Sequence, residues 1–376
     1  MGQRGQGRGG AVGGVSPGRV RRIGLLAAGA AVAVWAGLHA SSVGASWSSA
    51  WQLIAGLRWQ WLVGLGVVWF AGLCVHTVVL TAAMPGLSHR RALTLNLSGS
   101  AVANVLPLGG VAGTALNLGM VRSWGHSGRD FARFFVVSKA SDLIAKLLTP
   151  LVAVAALVLW DVVAPGRHSA LWLVGGVVSA VAGALVMTAV AGRAGPLLRV
   201  VTLAERLLGR GGRRRGPRPV LGWTATVTEL LAGTDRLVRR RWAALSGGMA
   251  GYWLSQGALL WLCTMLVGLR LPVPVIFAGL VMERLLTLAA ITPGGAGLVE
   301  TGTIAVLISL GADPSRALAG VLLYRAFVFL AEIPVGGLAL VAWLFTRRTA
   351  IRRRPSQAGD EHPSLEVTSR AYRPCH

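Results

Sequence analysis

Apolar residues fall along this chain in long blocks, parted by short stretches that carry arginine. A helix needs about 20 apolar residues to cross a bilayer core. Runs near 23–40, 59–83, 133–160, 170–191, 243–268 and 317–345 approach or exceed that length and predict six spans. Trp59, Trp61, Trp160, Trp172, Trp242 and Trp343 fall near span ends, where interfacial aromatics belong. Residues 1–22, rich in Gly and Arg with Pro17, predict a disordered basic arm; 23–345 form one transmembrane domain; 346–376 predict a disordered tail. Leu38-His39-Ala40 loosely resembles a small-residue cleavage site, but with many spans following, the run at 23–40 is read as a retained signal anchor.

Two apolar stretches do not fit single spans. The stretch 92–121 is interrupted at Asn104-Val-Leu-Pro-Leu-Gly-Gly-Val-Ala-Gly113, and 274–310 at Thr292-Pro-Gly-Gly-Ala-Gly297. Proline removes a backbone donor and clashes with the preceding turn, and neighbouring glycines lower helix propensity further. Each stretch is expected to be two half-helices joined by irregular backbone. At membrane depth such backbone survives only inside protein or against a wet cavity.

Composition agrees with a membrane protein. The 376 residues are 54% hydrophobic and 13% charged, with mean hydropathy +0.62, whereas a soluble domain carries about a quarter charged residues. Basic residues number 37 against 13 acidic, for a formal charge of +24, and all but Lys139 and Lys146 are arginine. Because the arginines sit between apolar runs, they read as topology signals rather than as a nucleic-acid footprint. With the amino terminus inside, re-entry of 92–121 keeps the twelve arginines of the 193–241 connection inside; a simple crossing would put that block outside. The same count makes 274–310 a hairpin from the outer side and returns the carboxyl terminus to the cytoplasm. Trp223, Leu230, Leu231 and Leu237 alternate with polar residues and predict an amphipathic interfacial helix around 220–240. Cys74, Cys263 and Cys375 have no metal or redox spacing, and no cofactor is expected.

An offset of 186 lays the second broken stretch on the first. It aligns Pro107 with Pro293, Gly109 with Gly295, Ser123 with Ser309, Gly125 with Gly311, and the cation Lys139 with Arg325. Together with the charge count, which orients the two units oppositely, this predicts an inverted repeat with a site at its centre. The expected fold is an all-α polytopic membrane protein of about six spans plus two re-entrant broken-helix hairpins.

Charges inside spans are costly and mark partners or pathways. Lys139, Asp142 and Lys146 share a helix face, since Asp142 lies about 60° and Lys146 about 20° from Lys139 at 100° per residue. Asp142 can pair with either lysine, leaving one cation for a lipid phosphate. Glu300 follows the second break by one turn, where it either complements the helix dipole or meets a polar group while the donors of Gly294, Gly295 and Gly297 hold an anionic headgroup. Arg325 and Glu332, seven apart, are expected about 20° apart on one face, with Tyr324 a possible donor. Glu283 and Arg284, being adjacent, are expected to point apart and to need separate partners. Arg325 with Glu283 or Glu300 is the first ion pair expected. His76 is read as structural.

The run Ile291-Thr-Pro-Gly-Gly-Ala-Gly-Leu-Val-Glu300, with Leu310-Gly311 and Leu323-Tyr-Arg325, resembles the hallmark of the lysylphosphatidylglycerol synthase transmembrane-region family of flippase-like membrane proteins. Asn104 to Gly113, followed by Arg122 and Gly125, is similar to its amino-proximal motif, and the resemblance covers roughly 20–345. Many members carry Gly-Glu after the first proline; here Ala112-Gly113-Thr114 puts a carboxylate role in that half in question. With only 346–376 beyond the last span, the soluble aminoacyl-transferase domain of bifunctional synthases is not expected. The resemblance implies movement of a lipid between leaflets. The residues expected to line its path are Pro107, Gly109, Gly110, Gly113, Arg122, Lys139, Asp142, Glu283, Pro293, Gly294, Gly295, Gly297, Glu300, Tyr324 and Arg325.

No nucleotide-binding loop, HExxH or GxSxG is present, so the expectation is a translocase and not an enzyme. Its partners would be membrane lipids of the cell membrane: a phospholipid, an aminoacylated lipid or a polyprenyl-phosphate sugar. Two alternatives stand beside it. One is an intramembrane lipid-linked glycosyl- or phosphotransferase, the other a scaffold for cell-envelope enzymes acting through 193–241.

Overall fold

The computed structural model describes residues 46–106, 109–162, 167–190, 234–288 and 295–352. Every regular element among them is helical: α1 (Trp47–Ala55), α2 (Trp59–Ala83), α3 (His89–Val105), α4 (Gly109–Ser123), α5 (Gly128–Leu159), α6 (Arg167–Val190), α7 (Asp235–Leu266), α8 (Val273–Leu286), α9 (Leu298–Ser309), α10 (Pro314–Arg325), a π-helical turn (Ala326–Ala331) and α11 (Glu332–Arg352). The chain is an all-α polytopic membrane protein. Trp59–Ala83, Gly128–Leu159 and Pro314–Arg347 are long and apolar enough to cross a membrane, and the expected spans at 170–191 and 243–268 form helices as well. The basic arm, the run at 23–40, Pro107, Pro293, Gly294, residues 193–233 of the basic connection and 353–376 of the tail lie outside the described residues.

Local chemistry sets the helix ends. The Ser127 hydroxyl accepts from Asp130 N–H at 3.1 Å while the Asp130 carboxylate accepts from Ser127 N–H at 3.1 Å, a reciprocal cap at the start of α5. Asp313 accepts from Arg316 N–H at 2.9 Å, and Pro314 opens α10. Gly125 and Gly311, at φ +89° and +95°, turn the chain after α4 and α9. The sequence offset thus extends to element boundaries: adding 186 carries Ser123, the last residue of α4, to Ser309, the last of α9, and Gly128 at the start of α5 to Pro314 at the start of α10.

The two broken stretches are antiparallel helix pairs. A Cβ on Gly113 would lie 2.6 Å from the Gly99 carbonyl, and one on Gly109 would collide with Ala103, so α4 runs back along α3. In the second pair Gly279 faces Leu307 while Gly302 faces Leu286, so α9 runs back along α8. Between the pairs, α2 packs antiparallel on α7: Gly72 meets Ser255, Gly251 meets Val75 and Gly248 meets Val79. Helices in lipid gain little from burying apolar surface against each other, and small residues let their backbones close up instead. The outward faces stay apolar, as with Trp61, Val63 and Val67 on α2 and Val174, Val178 and Val181 on α6.

The segment 317–345 is long and apolar enough to cross, as expected, with a π-helical turn between α10 and α11. The amphipathic helix expected around 220–240 lies mostly outside the described residues, and its described end, from Asp235, meets the span at a kink at Arg241 (φ −122°, ψ 15°). One local expectation needs correction. Trp343 is buried, 8% exposed, with the Arg347 guanidinium 5.5 Å above its ring, whereas Trp59, Trp61, Trp160 and Trp242 are exposed.

Gly113→Val should lower stability by about 1–3 kcal/mol through overpacking, while Gly119→Val, which points into open space, should cost distinctly less. Thermal unfolding of the two purified variants in detergent checks the difference.

Candidate functional site

Because α8 and α9 run antiparallel, Glu283 near the end of α8 and Glu300 in the first turn of α9 come to the same end of the pair. Arg325, the last residue of α10, fills the space between them. Its Nε donates to Glu300 Oε1 at 2.7 Å and an Nη to Glu283 Oε1 at 3.5 Å. Glu283 is 2% exposed and Arg325 8%, so both charges have left solvent. The ion pair expected first therefore forms with both carboxylates at once.

Arg284 joins the same cluster. Its Nε lies 3.0 Å from Glu283 Oε2, and an Nη donates to the Tyr324 hydroxyl at 3.1 Å. The expectation that adjacent residues need separate partners fails here, because a long guanidine stem folds back over its own turn while Glu283 still reaches Arg325. Tyr324 in turn donates to Gln256 Oε1 at 3.2 Å. Aromatic faces close the cluster: Arg325 lies 5.1 Å from the Phe329 centroid and Arg284 5.7 Å from that of Tyr252. His76 stacks on Tyr252 at 4.4 Å. Two guanidiniums and two carboxylates balance in formal charge.

Glu300 serves the break as well as the cluster. Its Oε2 accepts from Gly297 N–H at 2.7 Å while Oε1 holds Arg325, so a single carboxylate caps α9 and anchors α10. The donor of Gly297 is thereby committed to Glu300 and not offered to a headgroup. Gly295 and Gly297 adopt φ +73° and +86°, which side chains disfavour, and a Cβ on Gly295 would meet Val299 at 2.5 Å.

The first pair connects to this cluster through Asn104, at the end of α3. Its Nδ2 donates to the Phe329 carbonyl at 3.4 Å, within the π-helical turn that directly follows Arg325. Wider i→i+5 turns lag behind an α-helix and leave carbonyls free for outside donors. The Glu332 carboxyl bonds to Ser100 and Asn104 on α3 and lies within reach of the charges of Arg325 and Arg284.

The remaining expected residues lie elsewhere. Gly109 and Gly113 are buried against α3 as packing surface, while Gly110 opens on a cleft between α4 and α5. Arg122, at the exposed end of α4, lies beside Gly128 and away from the cluster. Asp142 pairs with Lys146 at 2.8 Å, which leaves Lys139 on the cleft. Gln256 and Tyr252, missed from the sequence, sit on α7; a glutamine inside the apolar run 243–268 was the available signal. Among the described residues no group of His, Cys, Asp or Glu is arranged to hold a metal ion.

Breaking one member of a buried ion pair costs about 3–5 kcal/mol, because the partner charge is left stranded. Arg325→Met should therefore destabilise on that scale. The double variant Arg325→Met with Glu300→Gln should recover part of the loss, as read by thermal unfolding in detergent.

Comparison with known proteins adds one positive finding. Residues 23–336 match the family described as Lysylphosphatidylglycerol synthase TM region, and no curated protein matches the chain. Spanning the matched stretch are both interrupted helix pairs and the glutamate that clamps the arginine of the Tyr-Arg motif; the chain belongs to the lysylphosphatidylglycerol synthase transmembrane-region family.

Proposed function

We propose that the protein is a lipid translocase that lets a polar or anionic headgroup cross between leaflets while the acyl chains stay in the bilayer. The observation that carries this reading is the polar line from Asn104 through the Phe329 carbonyl to the turn behind Arg325, which joins the first interrupted pair to the charged cluster of the second. Buried polar groups at the meeting point of two interrupted helix pairs are how membrane transporters build a site near midplane. The shared offset of element boundaries supports an inverted repeat. Helix lengths support re-entrance: at 1.5 Å per residue α3, α4, α8 and α9 span roughly 18–26 Å, less than a hydrocarbon core of about 30 Å. The excess of arginine over acid supports a position in the cell membrane with both termini cytoplasmic.

In this mechanism the cluster is the element that switches. A lipid phosphate competes with Glu300 for the Arg325 guanidinium, so the arginine keeps an anionic partner while the released carboxylate is held by the Gly297 N–H alone. Because Glu300 takes Arg325 on Oε1 and Gly297 on Oε2, the cap of α9 persists while the arginine changes partner. The protein forms and breaks no covalent bond in this cycle.

Purified protein in vesicles, with labelled phospholipid, aminoacylated lipid or polyprenyl-phosphate sugar, should speed transfer between leaflets for at least one lipid class. Glu300→Gln should reduce that rate by about tenfold or more, the scale of one lost charge-assisted bond. Transfer no faster than in protein-free vesicles for all three classes would refute the translocase.

A further inference from the structure

Outside the balanced cluster, one cation within the bundle stands apart. Lys139 lies on α5 at the edge of a cleft of about 570 Å³ between α4 and α5, lined by Gly110, Val111, Thr114, Leu118, Phe131 and Phe135 among others. Its side chain is exposed, and no carboxylate lines the cleft. The nearest acid along the helix, Asp142, is held by Lys146 at 2.8 Å, and the Thr114 hydroxyl donates to its own helix at Gly110 O. Lys139 is thus the only charge on the cleft among the described residues.

Its position along α5 says what it meets. From Leu143 to Leu159 the helix is apolar apart from Lys146 and Thr149, and side chains such as Val152 and Leu159 face outward. Lys139 sits one turn outside that stretch, on the side of Arg129 and Arg133. An amphiphile with its phosphate at Lys139 lays its hydrocarbon along the apolar stretch and turns its headgroup into the cleft, past Phe131 and Phe135. A headgroup that carries its own cation would find no acid on the cleft lining, since the nearby Asp142 is taken by Lys146, and would face Lys139.

We infer that the α4–α5 cleft is the docking site for an anionic, phosphate-bearing lipid whose headgroup lacks a cationic group. This excludes the aminoacylated lipids from the three classes considered and leaves anionic phospholipid or polyprenyl-phosphate sugar. The inference rests on the translocase reading for its purpose, but binding is measured without transport.

The test is equilibrium binding to the full-length purified protein in detergent, by native mass spectrometry. The probes are phosphatidylglycerol, lysyl-phosphatidylglycerol and diacylglycerol of matched chains. Phosphatidylglycerol should bind about tenfold more tightly than either of the others, the scale of one charge-assisted contact. Lys139→Ala should abolish that preference and Lys139→Arg should keep it. Gly110→Leu, which grows into open space, should fill the cleft and weaken phosphatidylglycerol without unfolding the chain. Unchanged phosphatidylglycerol binding in both Lys139→Ala and Gly110→Leu would overturn the site. Equal affinity for lysyl-phosphatidylglycerol would overturn the substrate class, and displacement by inorganic phosphate would overturn a lipid as the occupant. A protein that binds through Lys139 yet moves no lipid refutes the translocase and leaves this site standing; transport with unaltered binding in Lys139→Ala does the reverse.

Discussion

Two arginines and two glutamates cannot each stand alone in hydrocarbon, and the second half of this protein is arranged around that requirement. Glu283, Arg284, Glu300 and Arg325 come from three helices, and each carboxylate touches a guanidinium. An unpaired charge there would cost several kcal/mol. The antiparallel return of α9 along α8 brings both carboxylates to one place, and the glycines at positive φ before α9 set the angle at which Glu300 meets Arg325. Backbone geometry and charge balance therefore depend on each other at the same residues.

The two halves share helix boundaries but not chemistry. In the second, cations are matched by acids and clamped. In the first, the stretch Ala112-Gly113-Thr114 supplies no carboxylate, and the interrupted pair closes through glycine contacts between α3 and α4. Its charges sit on α5, where Asp142 takes Lys146 and leaves Lys139 to the cleft. The halves thus differ in charge: paired guanidiniums and carboxylates in one, and a lysine on an open cleft in the other. The π-helical turn lies between the charged cluster and the first half, and its Phe329 carbonyl receives Asn104.

Most of the architecture was legible in the sequence because the bilayer imposes a length and a polarity on each segment. The span at 59–83 coincides with α2 at both ends, and the two interruptions coincide with the gaps between α3 and α4 and between α8 and α9. Contacts within the site were legible only where charge left few choices. Arg325 with Glu283 and Glu300 followed from the rarity of buried acids, whereas Gln256, Tyr252 and the Asn104 contact depend on which faces α3, α7 and the π-turn present. Helical arithmetic failed at Glu283 and Arg284 because it tracked Cα directions and not side-chain reach.

By itself the chain of residues determined a membrane bundle, its interruptions at proline and glycine, and the supply of charges that had to find partners. These follow from local rules: apolar length, missing backbone donors and the cost of charge in lipid. Tertiary structure decided which partners those charges took, that Gly109 and Gly113 pack against α3 while Gly110 opens on the cleft, and that Lys146 rather than Lys139 forms the ion pair with Asp142. Those outcomes depend on how helices distant in sequence meet, and no periodicity along a single helix carries that information.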